Sequence, residues 1–354
     1  LMVPLNVEWL RVLPRVVDPS PQVEHAHERC AAICAVSWTL ECHQVDGEAL
    51  VEALPVAPWV DCAAVAQHLI NTRLRLTDAR RSTFGLFFAD NGRPLNRSEF
   101  VGDVQESAFV FKRVLRFLHE PSRSDDPVFE RLNFLQCEDD VLNEGRLPIP
   151  RKDAGELAAL SLLATMGAAT PIRVEDLAAL AGDISINECY PPLYESEAPL
   201  TLASLAAPHV AAFRKLDARE LHRAFVDRCR ARPLYGAHVF EVDVVGGLDA
   251  PGAYRLAVGS RGLALLGDDD VFGVDCRYAV GDVASWASTG DSVEVRFREA
   301  APLLVESAQA PGIVAALDVC IKRLGVVVEE PSQRRDWTAH GLFAAAAAEE
   351  SKGD

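Results

Sequence analysis

The spacing of apolar side chains changes twice along this chain, and that change limits the possible folds more than any other feature. Residues 36–42 alternate apolar and polar side chains, the period of two expected of a half-buried strand. Residues 151–166 instead carry Ala and Leu around most of a helix. Residues 292–298 alternate again. The sequence therefore predicts an α+β multidomain protein in which a helical segment separates two β-containing segments.

The first segment predicts a small sheet crossed by one helix. Strands are expected at residues 36–42, 50–56, 84–88 and 109–115, with a hairpin turn at Asp46-Gly47. Asp61 is placed to cap a helix that carries Cys62, Val65, Ala66, Leu69 and Ile70 on one face.

The second segment is predicted to be helical, and the third is predicted to consist mainly of β-strands. Helices are predicted at about residues 129–142, 151–166, 175–181, 203–216 and 217–230, and Pro127 suits a first helical position. Strands are then predicted at 238–245, 254–258, 263–266, 278–287 and 292–298, followed by an amphipathic helix at 311–325. We expect an N-terminal extension or linker at 1–35, domains at 36–120, 125–232 and 235–325, and a tail at 326–354, because 354 residues exceed one hydrophobic core.

The charge balance argues against nucleic acid as a partner. The formal net charge is −17, whereas a protein that neutralises phosphates needs clustered Lys and Arg. The first domain carries a net charge of −2, and the second and third carry −6 each. The acidic side chains therefore lie mainly in the second and third domains, which favours protein partners over acidic lipids.

Cysteine usage and motifs favour a soluble intracellular protein without catalysis. The nine cysteines contain no C-x-x-C pair, and charged residues interrupt every N-terminal apolar run. Phosphate-binding, dinucleotide-binding, nucleophile-elbow and zinc-protease motifs are absent from the sequence. His25, His27, Cys30 and Cys34 are spread too far along one helix for a zinc ion, so we expect no metal and no cofactor.

Several short sequence motifs occur in the order found in one known family. They are Phe84-Gly85-Leu86-Phe87, Phe109-Val110-Phe111-Lys112-Arg113, Asp126-Pro127-Val128-Phe129, residues 132–136, Gly145-Arg146-Leu147-Pro148 and residues 233–238. Together they resemble the FERM domain, most of all the FERM lobes that follow a myosin-tail-homology module in unconventional myosins and plant-type kinesins. The resemblance covers about residues 36–325 and implies a three-lobe cloverleaf with ubiquitin-like, helical acyl-CoA-binding-protein-like and PH/PTB-like lobes.

The resemblance implies a binding scaffold that is not an enzyme. It suggests a cytoplasmic, cytoskeleton-associated motor tail or adaptor whose partners are cytoplasmic tails or cargo proteins. A structural or autoinhibitory element fixed in a cytoskeletal assembly remains an alternative. A membrane linker that binds phosphoinositides is a further alternative, which the acidic charge disfavours.

Two sets of candidate site residues follow from the resemblance. A peptide could add to the strand nearest the C-terminal helix, which we take to be residues 292–298. The groove residues would be Ser292, Glu294, Arg296, Arg298, Ile313, Leu317 and Lys322. A patch for acidic ligands would comprise Arg73, Arg75, Arg80, Arg81, Lys112 and Arg113. The competing interpretation of both sets is a solvated surface, which for an edge strand also prevents aggregation.

Overall fold

A computed structural model describes residues 38–44, 49–56, 60–88, 94–95, 108–114, 116, 120–121, 123–143, 145–180, 185–248, 251–267 and 276–324. The chain divides into two compact units, Leu1–His238 and Val239–Asp354. The predicted N-terminal extension, the tail, the Asp46-Gly47 turn and the His25–Cys34 cluster lie outside the described residues. The boundary expected between the first two domains stays a prediction.

The first unit contains a four-stranded sheet in which the strand order is β2-β1-β4-β3. Its strands are β1 (Trp38–His43), β2 (Ala49–Val56), β3 (Phe84–Phe88) and β4 (Ala108–Arg113). β1 runs parallel to β4 and antiparallel to β2, and β3 is antiparallel to β4. All four strands were predicted from the sequence.

One helix covers this sheet, as the apolar spacing predicts. α1 (Cys62–His68) begins at Asp61, whose Oδ1 accepts the Ala64 N–H at 2.6 Å. A π-helical segment, Leu69–Leu74, continues it. The core beneath includes the stacked rings of Phe84 and Phe111, whose centroids lie 5.1 Å apart.

The rest of the first unit is a helical bundle. Its helices are α2 (Pro127–Glu138), α3 (Arg151–Met166), α4 (Val174–Ala178), α5 (Pro199–Phe213) and α6 (Ala218–Arg230). Most of α3 is buried, as its Ala and Leu content predicts, because it packs against both α5 and α6. Asp126 caps α2 and Asp217 forms a capping box on α6.

The second unit is a seven-stranded sheet with one helix. The strands are β5 (His238–Gly246), β6 (Gly252–Gly259), β7 (Gly262–Gly267), β8 (Cys276–Tyr278), β9 (Val283–Thr289), β10 (Ser292–Phe297) and β11 (Leu303–Glu306). Their order is β8-β7-β6-β5-β11-β10-β9. α7 (Ala310–Leu324) packs on β6, β9 and β10.

Two features of this sheet differ from the sequence prediction. The single strand expected at residues 278–287 is two strands, because a 3-10 turn at Val280–Asp282 interrupts it. β11 was not predicted, since four residues are too few to establish an alternating pattern. This short strand pairs with both β10 and β5 and so joins the two halves of the sheet.

Candidate peptide-binding site

The end strand that packs beside α7 is β9, at the opposite end of the sheet from β8. The sequence analysis instead took the strand at residues 292–298 as the one to which a peptide would add. β10 pairs with β9 along one edge and with β11 along the other. From Ser292 to Val295 its main chain is therefore paired on both sides, and a peptide could add there only by displacing β9 or β11. In the described part of the chain β9 has a strand partner on one side only, and it packs beside α7.

Two predicted groove residues on α7 belong to the core. Ile313 and Leu317 are 0% and 1% exposed, and they lie on the face that packs against the sheet. They therefore hold the helix in place and offer no surface to a ligand. Lys322 is in α7, but its side chain is outside the described residues.

The arginine expected to bind an acidic ligand is already paired within its own strand. Arg296 Nε donates to Glu294 Oε1 at 2.8 Å, and Arg296 Nη2 donates to Glu294 Oε2 at 3.3 Å. Glu294 therefore offsets the charge of Arg296, which would weaken its attraction for an acidic peptide. Ser292 is half-buried on the same strand, and Arg298 is exposed just beyond it.

None of the side chains of β9 is charged, whereas the half-buried side chains of α7 include Asp318. Ala287 and Ser288 are exposed on β9, and Trp286 is half-buried before them. On α7, Val314 and Val319 are half-buried. A ligand that binds along β9 would meet few charged side chains on that strand. Its recognition would therefore depend on main-chain hydrogen bonds and apolar contacts.

A separate groove of about 450 Å³ opens between β5, β6 and the start of α7. Its lining includes three carboxylates, those of Glu241, Asp243 and Glu306, and one cationic residue, Arg255. Asp243 lies directly opposite Glu306 in the β5–β11 ladder. Like charges in that position repel each other, so this groove has an acidic character that the sequence did not predict.

The six residues predicted to form an acidic-ligand patch do not share one exposed surface. Arg73, Arg75 and Arg81 are exposed, but Arg80 is half-buried and its Nη2 lies 2.7 Å from Asp78 Oδ2. The remaining two residues, Lys112 and Arg113, are buried.

Arg113 is a structural residue, contrary to the sequence prediction. It is 2% exposed, and its Nη2 lies 2.7 Å from Glu120 Oε2. Its Nη1 donates to Asn133 Oδ1 at 3.0 Å, which links β4 to α2. The Lys112 ammonium lies 4.9 Å from the centroid of the Phe87 ring. The exposed-patch prediction is wrong for both residues.

The described residues hold neither a metal-binding cluster nor a membrane-spanning helix. No group of three or more His, Cys, Asp or Glu side chains is arranged to hold a metal ion there. None of the described helices has the length and apolar character needed to cross a membrane.

The helical bundle matches the model of a known protein family. Residues 119–240 match the family model of the FERM central domain. The helical bundle is therefore similar to the FERM central domain. The match covers the five helices of the bundle. The bounds expected for the second domain, residues 125–232, stay a prediction.

The fold is that of several solved FERM structures. The MyTH4-FERM MF2 domain of Dictyostelium discoideum myosin VII aligns with a TM-score of 0.63 and 13% identity, over 90% of this chain and 67% of that one. The human Myosin 7b C-terminal MyTH4-FERM domain, in complex with the harmonin-a PDZ3 domain, gives 0.66 and 19% over 90% and 66%. The complex of the Drosophila Merlin FERM and C-terminal domains gives 0.60 and 14% over 82% and 98%.

The chain spans about two thirds of the length of the myosin structures it matches. No curated protein sequence matches it. The likeness to the FERM fold therefore rests on the structure and on the central-domain match.

Proposed function

We propose that this FERM domain is the cargo- or adaptor-binding part of a cytoskeletal motor, and that it binds partner peptides along β9. The observation that carries the proposal is the one-sided pairing of β9 at the end of its sheet, beside α7. An extended peptide that adds to such an edge gains main-chain hydrogen bonds without unfolding the domain. The role is binding, with no catalysis and no cofactor.

The kind of motor is inferred from the relatives. The Myosin 7b structure is a C-terminal MyTH4-FERM domain in complex with the harmonin-a PDZ3 domain. The structural likeness to two MyTH4-FERM domains supports a similar setting in a motor tail, and hence a cytoskeletal location. Phosphoinositide binding is less favoured, because three of the six basic residues first considered for it are buried or paired inside the fold.

Two neighbouring proline substitutions on β9 test this function. Ala287 and Ser288 are both exposed, so their side chains are replaceable. Successive N–H groups of an antiparallel strand point alternately to the partner strand and away from it. One of Ala287→Pro and Ser288→Pro therefore removes a bond to β10, and the other removes a donor from the free edge.

The measurement is binding to a phage-displayed library of cytoplasmic-tail peptides, with chemical denaturation of each variant as the folding control. We expect wild type to select tail peptides that add as strands. The variant that retains wild-type stability should lose at least about tenfold in affinity for the selected peptides, since a main-chain bond and the strand geometry are both lost. Wild-type affinity in that variant would exclude β9 as the binding edge.

A further inference from the structure

The pairing of β9 with β10 determines the face of the sheet on which each β9 side chain lies. Trp286 is directly opposite Val295, and Ser288 is directly opposite Val293. Both valines are 0% exposed, so they face the core. Residues directly opposite each other in an antiparallel ladder share one face of the sheet. Trp286 and Ser288 therefore point to the core side, the side that α7 covers.

Trp286 lies at the margin between the sheet and this helix. α7 packs on both β9 and β10. Val295 is completely covered there, whereas the Trp286 side chain opposite it is only half-buried. In the described part of the chain β9 has a strand partner on one side only. The uncovered part of the indole therefore faces the end of the sheet, where an added strand would lie.

The next residue on the same face leaves space beside the indole. Ser288 is small and exposed, and it lies roughly 7 Å further along the strand. Ala287, between the two, is opposite Glu294 and points to the other face. A strand added to β9 would thus meet an aromatic surface and then an open position on the α7 side.

The chemistry of this position favours an apolar side chain from the partner. An indole ring gains most of its contact energy from burial of large apolar groups. None of the side chains of β9 is charged, so a partner's cation against the ring would find no counter-ion on that strand.

We propose that Trp286 selects partner segments that place a large apolar side chain against its ring, within an extended stretch of alternating apolar and polar residues. This inference rests on the proposed binding of peptides along β9 and names the class of peptide. Every second residue of the added strand would face α7 and be apolar. The residues between them would face water and could be polar.

The first test uses the full wild-type chain and two phage-displayed peptide libraries of equal composition. In one library apolar and polar residues alternate, and in the other the apolar residues recur at helical spacing. We expect enrichment from the alternating library only. In a selected peptide, replacing the apolar residue that contacts Trp286 by Ser should weaken binding at least about tenfold, because a buried aromatic contact is lost.

A protein variant then tests the contact itself. Trp286→Ala should weaken binding of the selected peptide at least about tenfold, yet should have little effect on its Ser-substituted form, since the two changes remove the same contact. Tyr254→Ala is the matched control, because Tyr254 is also a half-buried aromatic residue but lies on β6, which has a strand on each side. Its affinity for the peptide should stay within about twofold of wild type.

Equal enrichment of the two libraries would overturn the inference, and so would selection of Lys or Arg opposite Trp286. Additive losses from Trp286→Ala and the Ser substitution would overturn it as well. If Trp286→Ala does not fold, the libraries and the Ser-substituted peptides still decide with the wild-type chain.

The two proline variants of β9 separate this inference from the proposed function. Loss of binding in a stable proline variant, together with additive losses at Trp286, would show that β9 binds peptides without selection by the indole. Binding that survives both proline substitutions would exclude the β9 edge, and the inference with it. Failure of both libraries to yield a binder would overturn the function and the inference together.

Discussion

Asp126 accepts the main-chain N–H of Thr77 at 2.6 Å with Oδ2, while its Oδ1 caps α2. Oδ2 also accepts from the Thr77 hydroxyl and from the N–H of Asp78, each at 3.2 Å. Oδ1 accepts the N–H groups of Val128 and Phe129 at 3.0 and 3.1 Å. One carboxylate therefore fixes the loop that precedes β3 to the first turn of the helical bundle.

Replacing Asp126 should cost more than the loss of an ordinary helix cap. We expect Asp126→Ala to lower the free energy of unfolding by about 3 kcal/mol, since it removes an N-cap and leaves the Thr77 N–H without an acceptor. Asp61→Ala is the matched control, because Asp61 caps α1 through one exposed bond and its loss should cost about 1 kcal/mol. Urea denaturation measures both. Equal losses would show that the bonds to the Thr77 loop add nothing.

The sequence predicted most elements but missed relationships that depend on pairing. Alternation identified β10 as a strand with one buried face, and its buried Val293 and Val295 agree. Alternation within a strand does not say how many neighbours the strand has. That number depended on β11, whose four residues give too short a pattern. Because β11 pairs with β10, the end strand on that side of the sheet is β9.

Charged residues show the same limit of sequence reasoning. Arg113 and Arg73 look alike in the sequence, yet one is buried against Glu120 and the other is exposed. The partner of Arg113 comes from a segment after β4, so its burial is a property of the tertiary fold. In contrast, Pro127 gave a local signal for a helix start in the sequence, and the structure confirms that α2 begins there.

Gly155 allows α3 and α5 to approach closely. A Cβ built at Gly155 would lie 2.6 Å from the carbonyl oxygen of Leu205 and 2.8 Å from its carbonyl carbon. We expect Gly155→Ala to destabilise the bundle by about 1–3 kcal/mol, because overpacking against main chain outweighs the helix propensity gained. Gly281→Ala serves as the control, since nothing lies within 4 Å of a Cβ there. Thermal unfolding of the two variants checks the prediction, and a stabilised Gly155→Ala would contradict it.

Arg116 and Asp140 form a buried ion pair whose two members should not contribute independently. Arg116 Nη2 donates to Asp140 Oδ2, and the Arg116 guanidinium lies 4.9 Å from the centroid of the Tyr235 ring. Asp140→Asn leaves a buried positive charge uncompensated, which should cost about 3–5 kcal/mol.

The double variant Arg116→Met/Asp140→Leu tests whether the charge itself causes that cost. It removes both charges and should recover at least about half of the loss seen in Asp140→Asn. A double-mutant cycle by guanidinium denaturation, completed with Arg116→Met and Asp140→Leu, measures the coupling. Strictly additive losses would mean that the two side chains do not interact in the folded state.

His238 should make the first unit sensitive to acid. Its Nε2 lies 3.0 Å from the carbonyl oxygen of Val114, a distance at which the neutral ring can donate a hydrogen bond. Burial, reinforced by the charges of Lys112 and Arg146, lowers the pKa of His238 to about 4 despite that hydrogen bond. The unfolded chain, with a histidine pKa of about 6.5, then binds the proton first as the pH falls. The stability contributed by the neutral ring is complete above pH of about 6.5 and is lost progressively toward pH 4.

His238→Gln keeps a donor for Val114 but does not titrate, so its free energy of unfolding should fall less steeply between pH 6.5 and 4 than that of wild type. Urea denaturation at closely spaced pH values measures the two slopes, and identical slopes would show that His238 does not control the acid response.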